Sequence, residues 1–297
     1  MKIEKGAAKS HIAHEKHLAD LVHEKDKRFF TMRNKDCVAY KLNTITLEAL
    51  KPFLSEENSW LTVGDYLGFE AKYFQEHNQN AIASDISDAF LSEAKKEGLI
   101  KNYSKQNVES LSFDEGEIDY VSCREAFHHF PRAYLGAYEM IRVARKAAII
   151  IEPIDILQKS GLLLYIKNLA DIFSPYLINK LWKNRFSWEK VGNYVFKISE
   201  REVEKMAMGI GLPCIAFKSM NLNLKVKEDM NEVPTNQKLL NKFNRKTKFK
   251  NLLSKLRIVP YNTLISVIFK EMPSEKLLGE LKKEGYTIIN LPKNPYL

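Results

Sequence analysis

Two glycines and an aspartate stand where they could hold a nucleotide-like ligand. Gly64 and Gly68 follow the apolar segment WLTV and precede the amphipathic segment EAKYFQEH, so they mark a turn from a strand into a helix. Small residues let a ligand approach the backbone there, and the helix N-terminus favours polar or anionic groups. A second apolar segment, AIASDI, brings Asp85 about 20 residues further on, where a carboxylate can accept hydrogen bonds from both ribose hydroxyls. The two signals together predict an adenosine-bearing cofactor.

The residues leave three interpretations open: S-adenosylmethionine, a nicotinamide cofactor, or a turn that binds no ligand. The pyrophosphate of a nicotinamide cofactor needs a glycine at the middle of the loop, where this sequence has Tyr66. S-adenosylmethionine carries no phosphate, so Tyr66 counts against a dehydrogenase more than against a methyltransferase. The interpretation without any ligand is that Gly64 and Gly68 only form the turn, and that Asp85 caps the following helix.

A second group of chemically active residues lies in the segment CREAFHHF. Glu125, His128 and His129 follow an apolar run that should end at the carboxyl edge of the sheet, where open α/β sheets bind ligands. Methyl transfer needs close alignment of nucleophile and methyl group, and often a base, for which a neutral histidine is suited. The side chains of adjacent histidines point in different directions, so the alternative is a structural role for the pair. With Cys123 they form no recognised zinc pattern.

The elements that must position these residues alternate between strands and helices. From Trp60 to Asp155, short apolar runs alternate with amphipathic segments, which predicts βαβ units and a parallel sheet covered on both faces. Two later strands are predicted at Cys214–Lys218 and Thr263–Lys270. The predicted fold class is therefore α/β, a doubly wound, mostly parallel Rossmann-like sheet with N-terminal helices and a helical cap insertion.

This pattern divides the chain into five parts. They are an N-terminal helical cap (1–58), a cofactor-binding core (59–158), a helical cap insertion (159–198), a sheet completion (199–273) with a basic insertion (225–257), and a C-terminal extension (274–297). A helix is predicted over Thr44–Leu54, and another over Glu200–Gly209 with Ser199 and Glu202 as a capping box. The segment YTIIN is predicted to be a final strand.

Charge is distributed unevenly along the 297 residues. Residues 1–158 carry 21 Lys and Arg against 25 Asp and Glu, whereas residues 159–297 carry 25 against 12. No acidic residue occurs from Pro234 to Lys270, and eight basic residues lie within the 20 positions 238–257: Lys238, Lys242, Arg245, Lys246, Lys248, Lys250, Lys255 and Arg257. The second half is expected to meet an anionic partner, such as RNA, a phosphorylated acceptor or a membrane surface; the alternative is a solvated helix face.

Composition restricts the class of protein and its compartment. No apolar run of about 18 residues could span a bilayer, and the N-terminal segment lacks an apolar signal core. Three scattered cysteines cannot build a disulfide framework, so a cytoplasmic protein is expected. Four aromatic side chains of the cap insertion could stack on a sugar or pack within the cap, namely Trp182, Phe186, Trp188 and Tyr194.

The segment from Trp60 to Asp155 resembles the class I methyltransferase family, in the branch described by its small methyltransferase domain. The matching pieces are VGDYLG, ASDI, NVESLSF leading to IDYV, AFHHF, EMIRVARK and IIIEP. The resemblance implies S-adenosyl-L-methionine as the cofactor, with Asn107 and Val108 beside adenine and Cys123 and Arg124 near the methionine end. The full set of residues implied to bind it is Gly64, Asp65, Tyr66, Gly68, Asp85, Ile86, Asn107, Val108, Cys123 and Arg124.

Three positions depart from the family pattern. The family usually has an acidic residue where Thr62 stands, a glycine where Tyr66 stands, and an aspartate where Asn107 stands. An amide can both donate to and accept from an adenine edge.

The predicted function is an S-adenosylmethionine-dependent O-methyltransferase of a small molecule or glycan precursor, with His128, His129 or Glu125 in the catalytic role. The alternatives are an RNA methyltransferase that docks through the basic insertion, and an inactive binding module with this fold.

Overall fold

The computed structural model describes residues 3–155, 161–173, 187–188, 193–222 and 228–296. Its strands, in chain order, are β1 (Ser59–Val63), β2 (Asn80–Asp85), β3 (Asn102–Lys105), β4 (Ile118–Arg124), β5 (Ala144–Pro153), β6 (Cys214–Met220), β7 (Thr263–Phe269) and β8 (Thr287–Asn290). They form one sheet in the order β3-β2-β1-β4-β5-β7-β6-β8. β1 to β5 are parallel, β7 runs antiparallel to β5 and β6, and β8 runs antiparallel to β6.

Helices flank the sheet and precede it. They are α1 (Ile3–Asp20), α2 (Lys25–Arg28), α3 (Phe30–Arg33), α4 (Val38–Asn43), α5 (Ile45–Glu48), α6 (Phe69–Glu76), α7 (Ala89–Lys96), α8 (Ala133–Val143), α9 (Gly161–Phe173), α10 (Glu200–Gly209), α11 (Gln237–Lys255) and α12 (Glu275–Lys283). Short 3-10 turns cover Val22–Glu24, Lys51–Leu54, Phe127–His129 and Glu228–Asn231. Among the described helices, none is long and apolar enough to cross a membrane.

Two apolar clusters lie on opposite faces of the sheet. Phe74 of α6 and Phe90 of α7 belong to one cluster, whereas Met140 of α8 and Val203 of α10 belong to the other. Parallel strands need this cover because both of their faces carry apolar side chains, as in β5, where Ala147 to Ile151 are all buried. The predicted doubly wound, mostly parallel sheet is confirmed.

Most predicted elements are present, with two differences. The helix predicted over Thr44–Leu54 is broken into α5 and a 3-10 turn, in which Pro52 has no N–H to donate and restricts the residue before it. β3 was not predicted, because its sequence NYSK lacks the apolar residues typical of strands and it lies at the sheet edge. The capping box at Ser199 and Glu202 is confirmed, and so is the last strand, which adds β8 to the sheet.

The insertions are described in part. α9 belongs to the predicted cap insertion, and α11 forms most of the basic insertion. Trp182 and Phe186 of the aromatic set lie outside the described residues, as do residues 225–227 of the basic insertion. Trp188 and Tyr194 pack edge to face with their ring centres 5.9 Å apart. The five-part division of the chain stays a prediction.

Candidate active site

A cavity of about 910 Å³ opens where β1, β2 and β4 end. One wall comes from the loops that follow these strands and includes Gly64, Asp85 and Arg124. The opposite wall is a side of α1, which contributes Ser10, His11, His14, His17 and Leu18. Since the carboxyl ends of parallel strands meet at one edge of the sheet, residues distant in sequence come together here.

The loop after β1 is held by a buried carboxylate. Asp65 Oδ2 accepts hydrogen bonds from Thr62 Oγ1 at 2.9 Å and from the Ala71 N–H at 3.0 Å. Burial raises the pKa of Asp65, and the hydrogen bond from Ala71 opposes this shift. The family's usual acidic residue is missing at Thr62, but Thr62 itself donates to a carboxylate three residues later. The loop is thereby fixed to the first turn of α6.

Both predicted glycines have positive φ angles, with different surroundings. Gly64 lines the cavity at φ 74°, and a Cβ there would lie 2.3 Å from Ala126 Cβ, so only glycine fits between the two loops. Gly68, at φ 76°, does not line the cavity; a Cβ there would lie 2.8 Å from Ile100 Cγ2. The structure therefore explains Gly68 by packing of the helix start against Ile100.

Asp85 is a buried carboxylate at the edge of the cavity. Its Oδ1 accepts a hydrogen bond from the Ser87 N–H at 3.0 Å, and Ile86 lines the cavity beside it. Burial raises the pKa of Asp85 to about 7, even though the Ser87 hydrogen bond lowers it. Such a carboxylate is poorly solvated, and two donor hydroxyls would stabilise its charged form. This environment suits the ribose of an adenosine cofactor.

Asn107 and Val108 line the next part of the wall. Asn107 Oδ1 accepts a hydrogen bond from the Glu109 N–H at 3.0 Å, which fixes the orientation of the amide. Gln106, which the sequence did not single out, lines the cavity beside them and donates to Ser112 Oγ at 2.7 Å. Two amides therefore lie next to an apolar side chain, a combination that suits a flat heterocyclic ring.

The structure separates Cys123 from Arg124 because successive side chains of a strand point to opposite faces. Arg124 lines the cavity, and its Nε lies 3.2 Å from Glu70 Oε1 in a buried ion pair. Burial raises the pKa of Glu70 to about 8, while the charge of Arg124 opposes the shift. Cys123 is buried in the core and does not line the cavity; burial raises the pKa of its thiol well above the ordinary value.

The three predicted catalytic residues occupy different places. Glu125, with φ 51°, and His129 line the cavity, whereas His128 does not. His128 Nδ1 lies 2.7 Å from Oε2 of the buried Glu152, whose Oε1 accepts from the Phe127 N–H at 2.7 Å. The rings of His128 and His129 have centres 4.1 Å apart. Glu152 thus anchors the turn that presents His129.

The sequence predicted an N-terminal helical cap but did not single out the side chains of the α1 wall. His11, His14 and His17 recur every third residue, a spacing that puts them on one side of a helix and could have identified this wall. The rings of His14 and His129 have centres 5.5 Å apart, and His11 Nε2 lies 3.7 Å from Glu109 Oε1. Burial lowers the pKa of His11, with Glu109 opposing the shift. In the described chain, no three His, Cys, Asp or Glu side chains are grouped to hold a metal ion.

Tyr66 connects the cofactor loop to the N-terminal helices. Its hydroxyl accepts a hydrogen bond from Arg28 Nη1 at 3.2 Å, and its ring packs edge to face on Phe90 at 5.5 Å. Both Tyr66 and Arg28 line the cavity, as does the exposed Trp188. Tyr66, which stands where the family usually has glycine, therefore contacts both Arg28 and Phe90.

Comparisons with known proteins agree with this architecture. Residues 61–151 match the family model of the methyltransferase domain. The magnesium protoporphyrin IX methyltransferase of Synechocystis PCC 6803 with bound SAH has a similar structure at 12% identity and a TM-score of 0.50, with 87% of this chain and 99% of that chain covered. A chain of the complex between the Haloferax volcanii Trm112 methyltransferase activator and the putative methyltransferase has a TM-score of 0.51 at 12% identity, covering 86% and 98%. No curated protein matches the chain by sequence.

The fold and the match to the domain model define the class of the domain that residues 61–151 form. Residues 61–151 form a class I S-adenosylmethionine-dependent methyltransferase domain. The family, the fold and the cofactor predicted from the sequence are confirmed.

Proposed function

We propose that the protein methylates an oxygen atom of a small molecule or glycan precursor. The observation that supports this proposal is a single cavity in which Asp85 and Asn107 lie together with Glu125 and His129 beneath α1. Ligand sites generally measure about 300–1,000 Å³. A cavity of about 910 Å³ therefore has room for the cofactor together with a small acceptor.

The wall formed by the strand ends suits the cofactor. In our proposal, Asp85 accepts hydrogen bonds from both ribose hydroxyls, and Asn107 with Val108 contacts adenine. The loop Gly64–Tyr66 and Arg124 surround the methionine portion, where the guanidinium meets its carboxylate. S-adenosylmethionine, when bound, supplies an electrophilic methyl group on its sulfur.

His129 is the general base of the proposed reaction. It would take the proton of the acceptor hydroxyl as the oxygen attacks the methyl group that bound S-adenosylmethionine would supply. His128 acts indirectly, because its contact with Glu152 holds the turn on which His129 stands. Glu125 lines the same cavity and is the second candidate for the base.

The α1 wall favours a small acceptor over a polynucleotide. His14 and Leu18 close the side of the cavity opposite the cofactor loops, and Trp188 adds an aromatic surface that suits a sugar ring. The basic second half of the chain favours an acceptor that carries negative charge. The three cysteines are buried and unpaired, which supports our proposal of a reducing, cytoplasmic environment.

Methyl transfer from labelled cofactor tests this function. The protein would be incubated with tritium-labelled S-adenosylmethionine and a cell extract, and the extract then separated into small-molecule, lipid, RNA and protein fractions. We expect label in the small-molecule or lipid fraction with the natural protein, and much less label with Asp85→Ala at a cofactor concentration below the Kd of that variant. Label confined to RNA would support the RNA methyltransferase instead, and no cofactor binding at millimolar concentration would support an inactive module.

A further inference from the structure

Helix α11 carries a continuous exposed stripe that changes character halfway along its length. Residues spaced alternately four and three apart lie on one side of a helix. On α11 and at the residue that directly follows it, this spacing selects Lys238, Lys242, Arg245, Phe249, Leu252 and Leu256, all of which are exposed. The first three are basic and the last three are apolar. We call this set the α11 stripe.

The apolar half of the α11 stripe is unusually accessible for side chains of its type. Phe249 is 63% exposed, Leu252 55% and Leu256 61%, and Ile258, just beyond the helix, is 65% exposed. Exposed apolar side chains are common singly, but a contiguous group bordered by charge marks a binding surface. The borders here are basic, since Lys246, Lys248, Lys255 and Arg257 stand among these residues in sequence.

The other side of α11 is already packed against the protein. Leu239, Leu240 and Phe243 contact the apolar cluster that includes Val38 and Met230. Near the other end of the helix, the Asn221 side-chain amide donates to Asn251 Oδ1 at 2.9 Å and to Ser254 Oγ at 3.0 Å. The helix is therefore held in place by its inner side, which leaves the α11 stripe directed outward.

We propose that the α11 stripe binds the surface of an anionic lipid bilayer. A helix lying in the plane of the interface would place Phe249, Leu252 and Leu256 at the boundary of headgroups and acyl chains, while Lys238, Lys242 and Arg245 meet lipid phosphates. The charge of the region selects the lipid: from Pro234 to Lys270 the chain has no acidic residue. A neutral bilayer would interact favourably only with the apolar half of the α11 stripe.

The aliphatic side chains argue for a bilayer over a nucleic acid. Proteins bind single-stranded RNA with basic grooves and with aromatic rings on which bases stack. The α11 stripe has one aromatic ring, Phe249, and its other apolar members are leucines. Burying leucines yields free energy in an acyl environment and little against bases or phosphates. This inference goes beyond methyl transfer, because it rests on α11 and not on the cavity.

Vesicle cosedimentation of the full-length protein, without cofactor, tests the proposal. Vesicles of phosphatidylcholine alone are compared with vesicles that also contain phosphatidylglycerol. The apolar variant is Phe249→Ser with Leu252→Ser and Leu256→Ser, and its control changes other exposed apolar residues: Met208→Ser, Ile210→Ser and Met272→Ser. The charge variant is Lys238→Glu with Lys242→Glu and Arg245→Glu, and its control changes other exposed lysines: Lys51→Glu, Lys101→Glu and Lys283→Glu.

We expect the natural protein to sediment with the phosphatidylglycerol vesicles and not with phosphatidylcholine alone. Each α11 variant should have a partition coefficient at least about tenfold below that of the natural protein, while each control stays within about twofold. Added salt should lower the partition coefficient of the natural protein because it screens the attraction to anionic lipid. Absence of binding to anionic vesicles, equal binding to neutral ones, or unchanged binding by the apolar variant would overturn the proposal. So would tighter binding to polyuridylate than to the vesicles, which would assign the surface to nucleic acid.

Discussion

The two walls of the cavity are built in different ways. The wall at the strand ends consists of short loops within the methyltransferase domain, and buried hydrogen bonds to Asp65, Asp85 and Glu152 hold it. The α1 wall comes from the first helix of the chain, which contacts the domain through an exposed ion pair of Glu15 with Lys105 and through His11, which lies beside the buried Glu109. The difference suggests that the wall at the strand ends, which we propose binds the cofactor and call the cofactor wall, is fixed by the fold, whereas the α1 wall is free to vary with the acceptor.

The largest effect is expected at the residue that stands between the two walls. His129→Ala should lower kcat by about 10²–10⁴ because it removes the proposed general base, while the cofactor Kd stays unchanged. Steady-state kinetics with labelled cofactor, and with the acceptor found by label transfer, measure kcat. Titration calorimetry measures the cofactor Kd. The matched control is His128→Asn, whose amide can still donate to Glu152. Equal losses of kcat in both variants would contradict the assignment of His129 as base.

The cofactor wall should be strained by its own buried charge. Burial raises the pKa of Asp85 from 3.8 to about 7, so between these pH values the folded protein holds a proton that the unfolded chain releases, and stability falls as pH rises. Asp85→Asn should therefore raise the free energy of unfolding at pH 8 by about 1–4 kcal/mol without cofactor, and change it little at pH 4. Urea unfolding at the two pH values measures this. A variant less stable than the natural protein at pH 8 would show that the carboxylate is not strained.

A substitution in the α1 wall should raise the acceptor KM and leave the cofactor Kd unchanged. His14→Ala removes a side chain that packs on His129, and we expect the acceptor KM to rise about two- to tenfold, the usual worth of one polar contact, with the cofactor Kd unchanged. Ile12→Ala, on the exposed side of the same helix, is the matched control. If the cofactor Kd rises as much as the acceptor KM, the two walls do not divide the ligands between them.

The smallest effect is expected at the link between the cofactor loop and the N-terminal helices. Tyr66→Phe removes the hydroxyl that accepts from Arg28 and should lower the free energy of unfolding by about 0.5–1.5 kcal/mol, with little change in cofactor affinity. Tyr66→Gly, which restores the usual glycine, should also still bind the cofactor. Thermal unfolding and calorimetry check both variants, and complete loss of binding by a folded Tyr66→Gly protein would identify Tyr66 as a required contact.

The same contrast explains what the sequence could predict. The strands β1, β2, β4 and β5 are short apolar runs, and most residues of the cofactor wall lie at their ends or directly after them in the sequence. The cofactor wall was therefore predictable from local sequence. β3 was missed because an edge strand with the sequence NYSK buries little. Cys123 was grouped with Arg124 by sequence proximity, although strand alternation directs their side chains to opposite faces.

The α1 wall could not be predicted in the same manner. Its contacts with His129 and Glu109 join residues about a hundred positions apart, and no local pattern specifies such a pairing. The triad of His11, His14 and His17 did carry a signal, since their spacing selects one side of a helix. That signal identifies a shared side without indicating what it faces, which only the packed structure provides.

Titration calorimetry with S-adenosylmethionine tests the central claim that the cofactor binds at the strand-end wall through Asp85. The natural protein should bind one cofactor per chain. Asp85→Ala, which removes charge-assisted hydrogen bonds worth about 1.5–3 kcal/mol, should weaken binding about tenfold to a hundredfold while the protein stays folded. Equal affinity in the two proteins, or no heat of binding from the folded natural protein at millimolar cofactor, would contradict the account.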